Sequence, residues 1–247
     1  MLDVSDTRSL ALTFHLNSEP LRDPSFAEEP GEVRFKEAAD GGEGVALPRV
    51  DRPAGLLELI RSRRSCRSYS ARPLALADLA ELIAGAYGPS GVVALEGVER
   101  TTRSVPSAGA LYPLELYLVL TDVETVADGL YHYSIPGHAL EPVRPGSDEA
   151  TFNRALLAAP LLENANVLFL ITAVFDRTLS KYGPRGYRFV LLEAGHAAQN
   201  LCLLAQERGL GALCVGGFMD AAVNRYLGLD PRVEAAVYGV AIGHPAA

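Results

Sequence analysis

The chain has only three cysteines, and they stand far apart at Cys66, Cys202 and Cys214 with no CxxC pair. Widely spaced single cysteines form neither a disulfide framework nor a typical zinc site. The five histidines are equally scattered, with no HExxH pattern and no pair four residues apart. We therefore expect no metal site, and we expect thiols that are buried or inert in a reducing cytoplasm.

The sequence also lacks a long apolar run and an excess of basic residues. Its longest strongly apolar stretch, residues 167–175, is far shorter than the roughly 20 residues of a membrane-spanning helix. Asp3 and Asp6 stand where a signal peptide carries positive charge. The formal net charge of -8 disfavours nucleic acids and anionic membranes as partners. These features predict a cytoplasmic protein.

A regular apolar pattern begins only at about residue 53. Residues 1–52 are predicted as an extended N-terminal arm, either disordered or wrapped around another subunit, because residues 17–53 are rich in proline, glycine and acids. Residues 53–247 are predicted as one folded domain. Helices and strands interleave there without strict β-α-β alternation, which predicts an α+β fold around a mixed sheet. Helices are predicted at 56–60, 76–86, 152–158, 187–208 and 220–227, and strands at 114–120, 131–133, 167–174 and 233–242.

Two short segments in the first half of the chain contain chemically useful side chains. Residues 61–69, here called the arginine segment, hold four arginines among serines. Guanidinium groups bind phosphate in a fixed fork geometry, although a solvated basic helix end has the same composition. Residues 107–112, the 107–112 loop, contain small residues that let a flat ligand approach the backbone, and Ser107 adds a hydroxyl. A tight turn before a strand is the alternative for that loop.

Two further segments lie in the second half. Lys181 and Tyr182 are adjacent proton-transfer side chains in a predicted Gly/Pro loop, and partial desolvation would lower the pKa of the lysine and let it act as a base. An exposed loop lysine beside a half-buried tyrosine is the alternative. Residues 209–220 lack the third glycine of a dinucleotide fingerprint and precede a strand, which excludes a Rossmann interpretation. The pair Gly216 and Gly217 instead indicates backbone packed against a planar ring.

Taken in this order, the strings RRSxRxY, PSAGALYPLE, KYGxRGYR and EAGHAAQNLxLLAxxxGLG resemble the nitroreductase family. Within it they look like the SagB-like branch, which includes flavin dehydrogenases of thiazole- and oxazole-modified peptide biosynthesis. The resemblance covers nearly the whole chain. It implies a nitroreductase-like α+β fold, in which helices flank a mixed, mostly antiparallel sheet. It also implies an obligate homodimer with two FMN sites at the interface, each built from both subunits, and with the helix at 187–208 in the dimer core.

The resemblance further implies a catalytic pair and a set of flavin contacts. Lys181 would be the base and Tyr182 a proton relay or orienting hydroxyl when an azoline is oxidised to an azole. Many nitroreductases carry a basic pair near the C-terminus that reaches the phosphate, and here only His244, or more distantly Arg232, stands in that region. The implied flavin-binding residues are Arg63, Arg64, Ser65 and Arg67 for the phosphate and ribityl chain, Ser107, Ala108, Gly109 and Leu111 along the flavin, Gly216 and Gly217 at the reactive edge of the ring, and His244.

Three functions are compatible with this sequence. The leading interpretation is an FMN-dependent dehydrogenase that oxidises azolines in a ribosomal precursor peptide, beside a cyclodehydratase, and the adjacent Lys181 and Tyr182 favour it. The second is a stand-alone NAD(P)H-dependent reductase of nitroaromatics or quinones. The third is a non-catalytic flavin-binding scaffold subunit.

Overall fold

The computed structural model describes residues 7–18, 46–49, 51, 54–95, 97–146, 156 and 159–246. The helices and strands of these residues follow one another without internal repetition. In chain order they are α1 (Thr7–Asn17), α2 (Leu56–Ser62), α3 (Leu76–Tyr87), β1 (Pro89–Leu95), β2 (Val98–Arg103), β3 (Leu114–Leu120), β4 (Gly129–Ser134), β5 (Ala139–Pro145), β6 (Val167–Val174), α4 (Asp176–Tyr182), α5 (Arg185–Glu207), β7 (Gly211–Val215), α6 (Asp220–Leu227) and β8 (Glu234–Gly243).

The core of the fold is a six-stranded sheet with the strand order β5-β4-β3-β6-β8-β7. Each of its neighbouring strand pairs is antiparallel, and a parallel bridge joins Ser65 to Ala212 at the β7 edge. Strand β6 is buried along almost its whole length because it is apolar on both faces. The predicted α+β fold class with a mostly antiparallel sheet is confirmed.

The hairpin β1–β2 forms a second, two-stranded sheet that the sequence pattern did not predict. It turns at Gly97, whose φ of 78° favours glycine. Its apolar residues Val92 and Val98 are mostly exposed. A strand is recognised in sequence by alternation between a buried and an exposed face, and this hairpin has no fully buried face to produce it.

Helix α5 is the predicted long helix, beginning two residues earlier than expected. Its apolar residues do not all enter one core. Val190, Ala194 and Leu201 are buried against the domain, whereas Leu191 and Leu192 on the other side are 40% and 55% exposed. A helix that is apolar on both sides requires a second surface to cover the side facing away from its own core.

Helix α1 lies within the predicted N-terminal arm and packs on the folded domain. His15 is buried there, with Nδ1 3.1 Å from the Tyr187 hydroxyl and its ring against Phe175. Residues 19–45 lie outside the described residues, as does most of the helix predicted at 152–158. The division of the chain at residues 52 and 53 therefore stays a prediction. Within the described ranges, the helices are too short or too polar to cross a membrane.

Candidate active site

The arginine segment follows α2 and runs along the free edge of β7. Ser65 bridges Ala212, and the Cys66 amide donates a hydrogen bond to the Ala212 carbonyl at 2.9 Å. Because β7 is an edge strand, its backbone groups are available for this pairing. Gly211 permits the close approach, since a side chain there would overlap the side chain of Cys66. The backbone of the arginine segment is therefore fixed against β7 at Ser65 and Cys66.

The side chains of the arginine segment are accessible to different degrees. Arg64, Ser65 and Arg67 are exposed, and Arg63 is half-buried. The Arg64 guanidinium bends back and donates to the carbonyls of Arg61 and Arg63 at 2.8 and 2.9 Å. The segment thus presents a cluster of cations at the edge of the sheet, which suits a phosphate ligand.

The C-terminal residues lie beside the same segment. The Ser70 amide donates to the His244 carbonyl at 2.8 Å, and the Ala246 amide donates to the Ser68 carbonyl at 3.0 Å. The His244 imidazole, however, lies against the Pro73 carbonyl, with Nε2 at 3.1 Å. The backbone of His244 thus lies beside the arginine segment, while its side chain contacts the Pro73 carbonyl.

The 107–112 loop and the predicted catalytic pair contact one another directly. Gly109 has a φ of 63°, and a Cβ at this position would lie 2.8 Å from the Tyr182 hydroxyl and 3.6 Å from Lys181 Cδ. A side chain at residue 109 would therefore be strained by its backbone and would collide with Tyr182. Glycine is favoured here because the loop passes close to the ends of the Tyr182 and Lys181 side chains on α4.

The structure corrects the predicted location of Lys181 and Tyr182. They do not lie in a Gly/Pro loop but form the last turn of α4, which ends at Gly183 with a φ of 55°. The Tyr182 ring packs edge-on against Phe189 with the ring centroids 5.1 Å apart. Lys181 is exposed, so its own subunit does not supply the desolvation that the sequence suggested.

A buried carboxylate holds the 107–112 loop. Glu193 on α5 accepts hydrogen bonds from the Ser107 hydroxyl at 2.5 Å and the Tyr87 hydroxyl at 2.7 Å. The Tyr112 amide in turn donates to Ser107 Oγ at 3.0 Å, and the Leu114 amide donates to the Tyr87 hydroxyl at 3.2 Å. Both ends of the loop are thus connected to one carboxylate. The sequence pattern does not mark Tyr87, whereas the resemblance implies that Glu193, a carboxylate in an otherwise apolar stretch of α5, supports the site or the subunit interface and is not a catalyst.

Burial raises the pKa of Glu193 above its ordinary value, and the hydrogen bonds from Ser107 and Tyr87 oppose only part of that rise. Arg103 also opposes it. The Arg103 guanidinium carbon lies 5.3 Å from the centre of the Tyr112 ring and 5.9 Å from that of Tyr87. The network therefore combines a desolvated acid with a cation held between two aromatic rings.

We expect Glu193→Gln to change the dependence of stability on pH. The native chain holds the Glu193 proton more tightly than the unfolded chain because its native pKa is raised. The stability contributed by this proton is complete below the ordinary pKa of 4.5 and is lost as pH rises through the native value. As pH rises from 4.5 through the native pKa of Glu193, the free energy of unfolding of the native chain should fall relative to that of Glu193→Gln, as measured by denaturant unfolding. Parallel pH profiles would contradict the prediction.

A cavity of about 400 Å³ opens beside the 107–112 loop and is lined by Arg103, Glu115, His132 and Arg177 among others. Glu115 pairs with Arg177 at 2.6 Å and with His132 at 3.0 Å. The hydrogen bond that His132 donates to the Glu115 carboxylate raises the pKa of His132. Arg177 and Lys181 are four residues apart on α4 and so project from the same side of the helix. The cavity has the size of a small-ligand pocket and is next to the predicted catalytic pair.

Arg103 contributes the least satisfied group in this cavity. Its Nε and Nη1 atoms are buried and have no hydrogen-bond partner among the described residues. The guanidinium lies instead against the rings of Tyr87 and Tyr112, at cation–π distance. Within the same described part of the chain, no group of three or more His, Cys, Asp or Glu side chains is arranged to hold a metal ion.

Comparisons with known proteins identify the family of the chain. The family model described as "Nitroreductase family" matches residues 60–244. The putative nitroreductase MJ1384 of Methanocaldococcus jannaschii is 37% identical over 185 residues, which is 74% of this chain and 88% of the relative.

Two relatives are named for peptide processing. The microcin B17-processing protein McbC of Escherichia coli is 33% identical over 139 residues, which is 54% of this chain and 51% of McbC. The trifolitoxin-processing protein TfxB of Rhizobium leguminosarum bv. trifolii is 31% identical over 147 residues, 56% of this chain and 39% of TfxB. The alignments thus span about half of McbC and less of TfxB.

Solved structures share the fold. The E. coli microcin synthetase McbBCD complex with truncated pro-MccB17 bound matches with a TM-score of 0.68 and 24% identity, covering 98% of this chain and 94% of the matched chain. A putative nitroreductase from Desulfovibrio desulfuricans in complex with FMN matches with a TM-score of 0.55 and 21% identity, covering 79% of this chain and 89% of the other. At these identities the likeness establishes the architecture.

Proposed function

This chain belongs to the nitroreductase family of oxidoreductases, and on that premise we propose that it is an FMN-dependent dehydrogenase that oxidises azoline rings to azoles in a ribosomally made peptide. The observation that carries the proposal is the contact of Gly109 with Lys181 and Tyr182. This contact brings a potential base and a hydroxyl against the loop proposed to line the flavin. The family relationship supports a flavin as cofactor, and the two relatives named for peptide processing support a peptide as substrate.

The residues fit FMN in their chemistry. Arg63, Arg64, Ser65 and Arg67 offer guanidinium and hydroxyl donors to the phosphate and ribityl chain. Strand β7 runs from beside this segment toward the predicted ring contacts, so the two parts of the proposed site lie along one strand. Gly216 is exposed and Gly217 half-buried, which leaves their backbone open to a flat ligand. Such an elongated arrangement suits a ligand with a phosphate at one end and a planar ring at the other.

A homodimer would complete the proposed site. The contacts described above link the arginine segment to β7, and the 107–112 loop to α4, as two separate groups. The outer side of α5 exposes Leu191 and Leu192, and no atom of the described residues outside this helix lies within 4 Å of the position of a Cβ on Gly195. An uncovered apolar surface with a glycine in it suits close packing against the same surface of a second copy. We propose that each flavin site combines the arginine segment and β7 of one subunit with the 107–112 loop and α4 of the other.

The residues of this chain would transfer the proton, position the loop beside the flavin and bind the substrate. The oxidation is chemistry that FMN supplies when bound, since it accepts the hydride. Lys181 would take the proton from the ring carbon of the azoline, and Tyr182 would relay it or donate a hydrogen bond to developing negative charge. Glu193 would keep Ser107 in position. Arg103, in the cavity beside them, would bind a carbonyl or carboxylate of the peptide.

We also propose partners that the azoline substrate requires. An azoline in a peptide is made by cyclodehydration of a cysteine, serine or threonine, so the substrate must come from a cyclodehydratase and its precursor peptide. The McbBCD structure, a synthetase complex that contains a bound pro-peptide, supports this arrangement. The cations that line the cavity would favour a peptide with acceptor or acidic groups next to the ring.

The experiment that tests the proposal uses the purified full chain. We expect a yellow protein that binds one FMN per chain and removes two hydrogen atoms per azoline ring, measured by mass spectrometry on a peptide prepared by a cyclodehydratase. A colourless protein that rejects added FMN would overturn the proposal and point to a scaffold subunit.

A second candidate function is an NAD(P)H-dependent reductase of nitroaromatics or quinones, which the relative called a putative nitroreductase favours. A flavoprotein that consumes NAD(P)H with such acceptors, at a rate unaffected by Lys181→Ala, would support this candidate. The same result would exclude Lys181 as the base of the reaction.

A further inference from the structure

Cys202 and Cys214, which no sequence motif pairs, are in contact in the structure. Cys202 is buried on α5, and Cys214 is exposed on β7, with their Sγ atoms 3.6 Å apart. Cys66 is also nearby, because its side chain packs against Gly211 at the start of β7. The expectation of buried or inert thiols holds for the burial of Cys202, whereas Cys214 is exposed.

The two sulfur atoms are in van der Waals contact. An S–S bond is about 2.05 Å long, so its formation requires the sulfur atoms to approach by about 1.5 Å. The cross-link would join α5 to β7 and close the short segment between Cys202 and Cys214.

The surroundings of the two sulfur atoms differ in a way that assigns them different roles. The hydrogen bond from the Cys202 thiol lowers the pKa of Cys214, and a hydrogen bond from Tyr238 and the charge of Arg63 lower it further. The same shared proton, together with burial, raises the pKa of Cys202. The exposed Cys214 is thus the member of the pair whose thiolate, the reactive form of cysteine, is favoured, while burial disfavours the thiolate of Cys202.

We propose that Cys202 and Cys214 form a redox-active dithiol, a site of reversible disulfide formation between α5 and β7. With hydrogen peroxide as oxidant, the Cys214 sulfur attacks the O–O bond, so that an S–O bond forms and hydroxide leaves. The Cys202 sulfur then attacks Cys214, so that the S–S bond forms, the S–O bond breaks and water leaves with the Cys202 proton. Two thiols and one peroxide become one disulfide and two waters, and a dithiol reductant returns the pair to two thiols while it is itself oxidised to a disulfide.

The site is adjacent to the arginine segment but does not depend on it. Arg63 lies close enough to Cys214 to lower its pKa, so disulfide formation would remove a negative charge beside a residue proposed to hold phosphate. The formation of the bond itself requires only the two thiols and an oxidant. The proposal therefore stands whether or not the chain binds FMN.

The test is a thiol count and a peptide map of the purified full chain. The protein is reduced, freed of reductant, exposed to about one equivalent of hydrogen peroxide, and then alkylated. We expect the number of free thiols to fall from three to one, with Cys66 alkylated and a Cys202–Cys214 peptide cross-link found by mass spectrometry. Dithiothreitol should restore all three thiols.

Two variants separate this result from unspecific oxidation. Cys202→Ser should stop at a sulfenic acid on Cys214, trapped by dimedone, with no cross-link. Cys66→Ser should still form the Cys202–Cys214 bond. Three free thiols after peroxide treatment of the native chain, or a cross-link that uses Cys66 instead, would overturn the proposal.

Discussion

Replacing Lys181 with alanine is expected to leave a folded, yellow protein whose azoline oxidation is slower by about 10²- to 10⁴-fold, the range that a positioned general base contributes. Lys181 is exposed at the end of α4, so its truncation removes little packing and should not disturb the fold. It is not among the residues proposed to hold the FMN phosphate. The rate of a single turnover on an azoline peptide, together with the visible absorption spectrum, measures both parts of the prediction.

Two companion variants make the result specific to proton transfer. Lys181→Arg keeps the positive charge, but an arginine side chain does not give up its proton near neutral pH, so it should be as slow as the alanine variant. Ser180→Ala changes the exposed neighbour on the same helix and should oxidise azolines at the native rate. Full activity in Lys181→Ala would show that the base is elsewhere.

The helices and strands that the sequence predicts best are those whose buried apolar residues follow a simple repeat along the chain. Strand β6 is apolar throughout, and α5 repeats its apolar residues at helical spacing, so both were found with nearly correct bounds. The hairpin β1–β2 was missed because Val92 and Val98 are exposed and its strands lack one fully buried face. Lys181 and Tyr182 were placed in a loop because Gly183 and Pro184 follow them, yet a helix can continue up to such a break.

The sequence predicts the separate motifs of the candidate site but not the hydrogen bonds that connect them. Local strings can mark Ser107 or Lys181, because a motif is a property of neighbouring residues. The Tyr87–Glu193 hydrogen bond joins residues 106 positions apart, and the Ser107–Glu193 bond joins residues 86 positions apart. Only the packing of α3, α5 and the 107–112 loop creates these contacts. The same holds for Cys202 and Cys214, whose meeting depends on how β7 lies against α5.

Arg67→Ala is expected to lose FMN during purification and to bind added FMN more weakly by roughly tenfold to a hundredfold. A hydrogen bond to a charged group contributes about 1.5–3 kcal/mol, and each 1.4 kcal/mol corresponds to a factor of about ten in affinity. Arg67 is exposed in a segment that backbone hydrogen bonds hold to β7, so the fold should not depend on its side chain. Titration by the quenching of flavin fluorescence measures the affinity, and thermal unfolding of the flavin-free proteins checks the fold.

Riboflavin, which has the same ring and ribityl chain but no phosphate, separates a phosphate contact from a general loss of binding. If Arg67 binds the phosphate, the native chain should prefer FMN to riboflavin, and the Arg67→Ala variant should lose most of that preference while its affinity for riboflavin changes little. Arg225→Ala, an exposed arginine near the end of α6, is the matched control and should bind FMN like the native chain. Equal affinity for FMN in Arg67→Ala and the native chain would remove Arg67 from the phosphate site. A parallel loss of riboflavin affinity would instead mean that this arginine shapes the ring pocket, because the side chain would then act on the part that both ligands share.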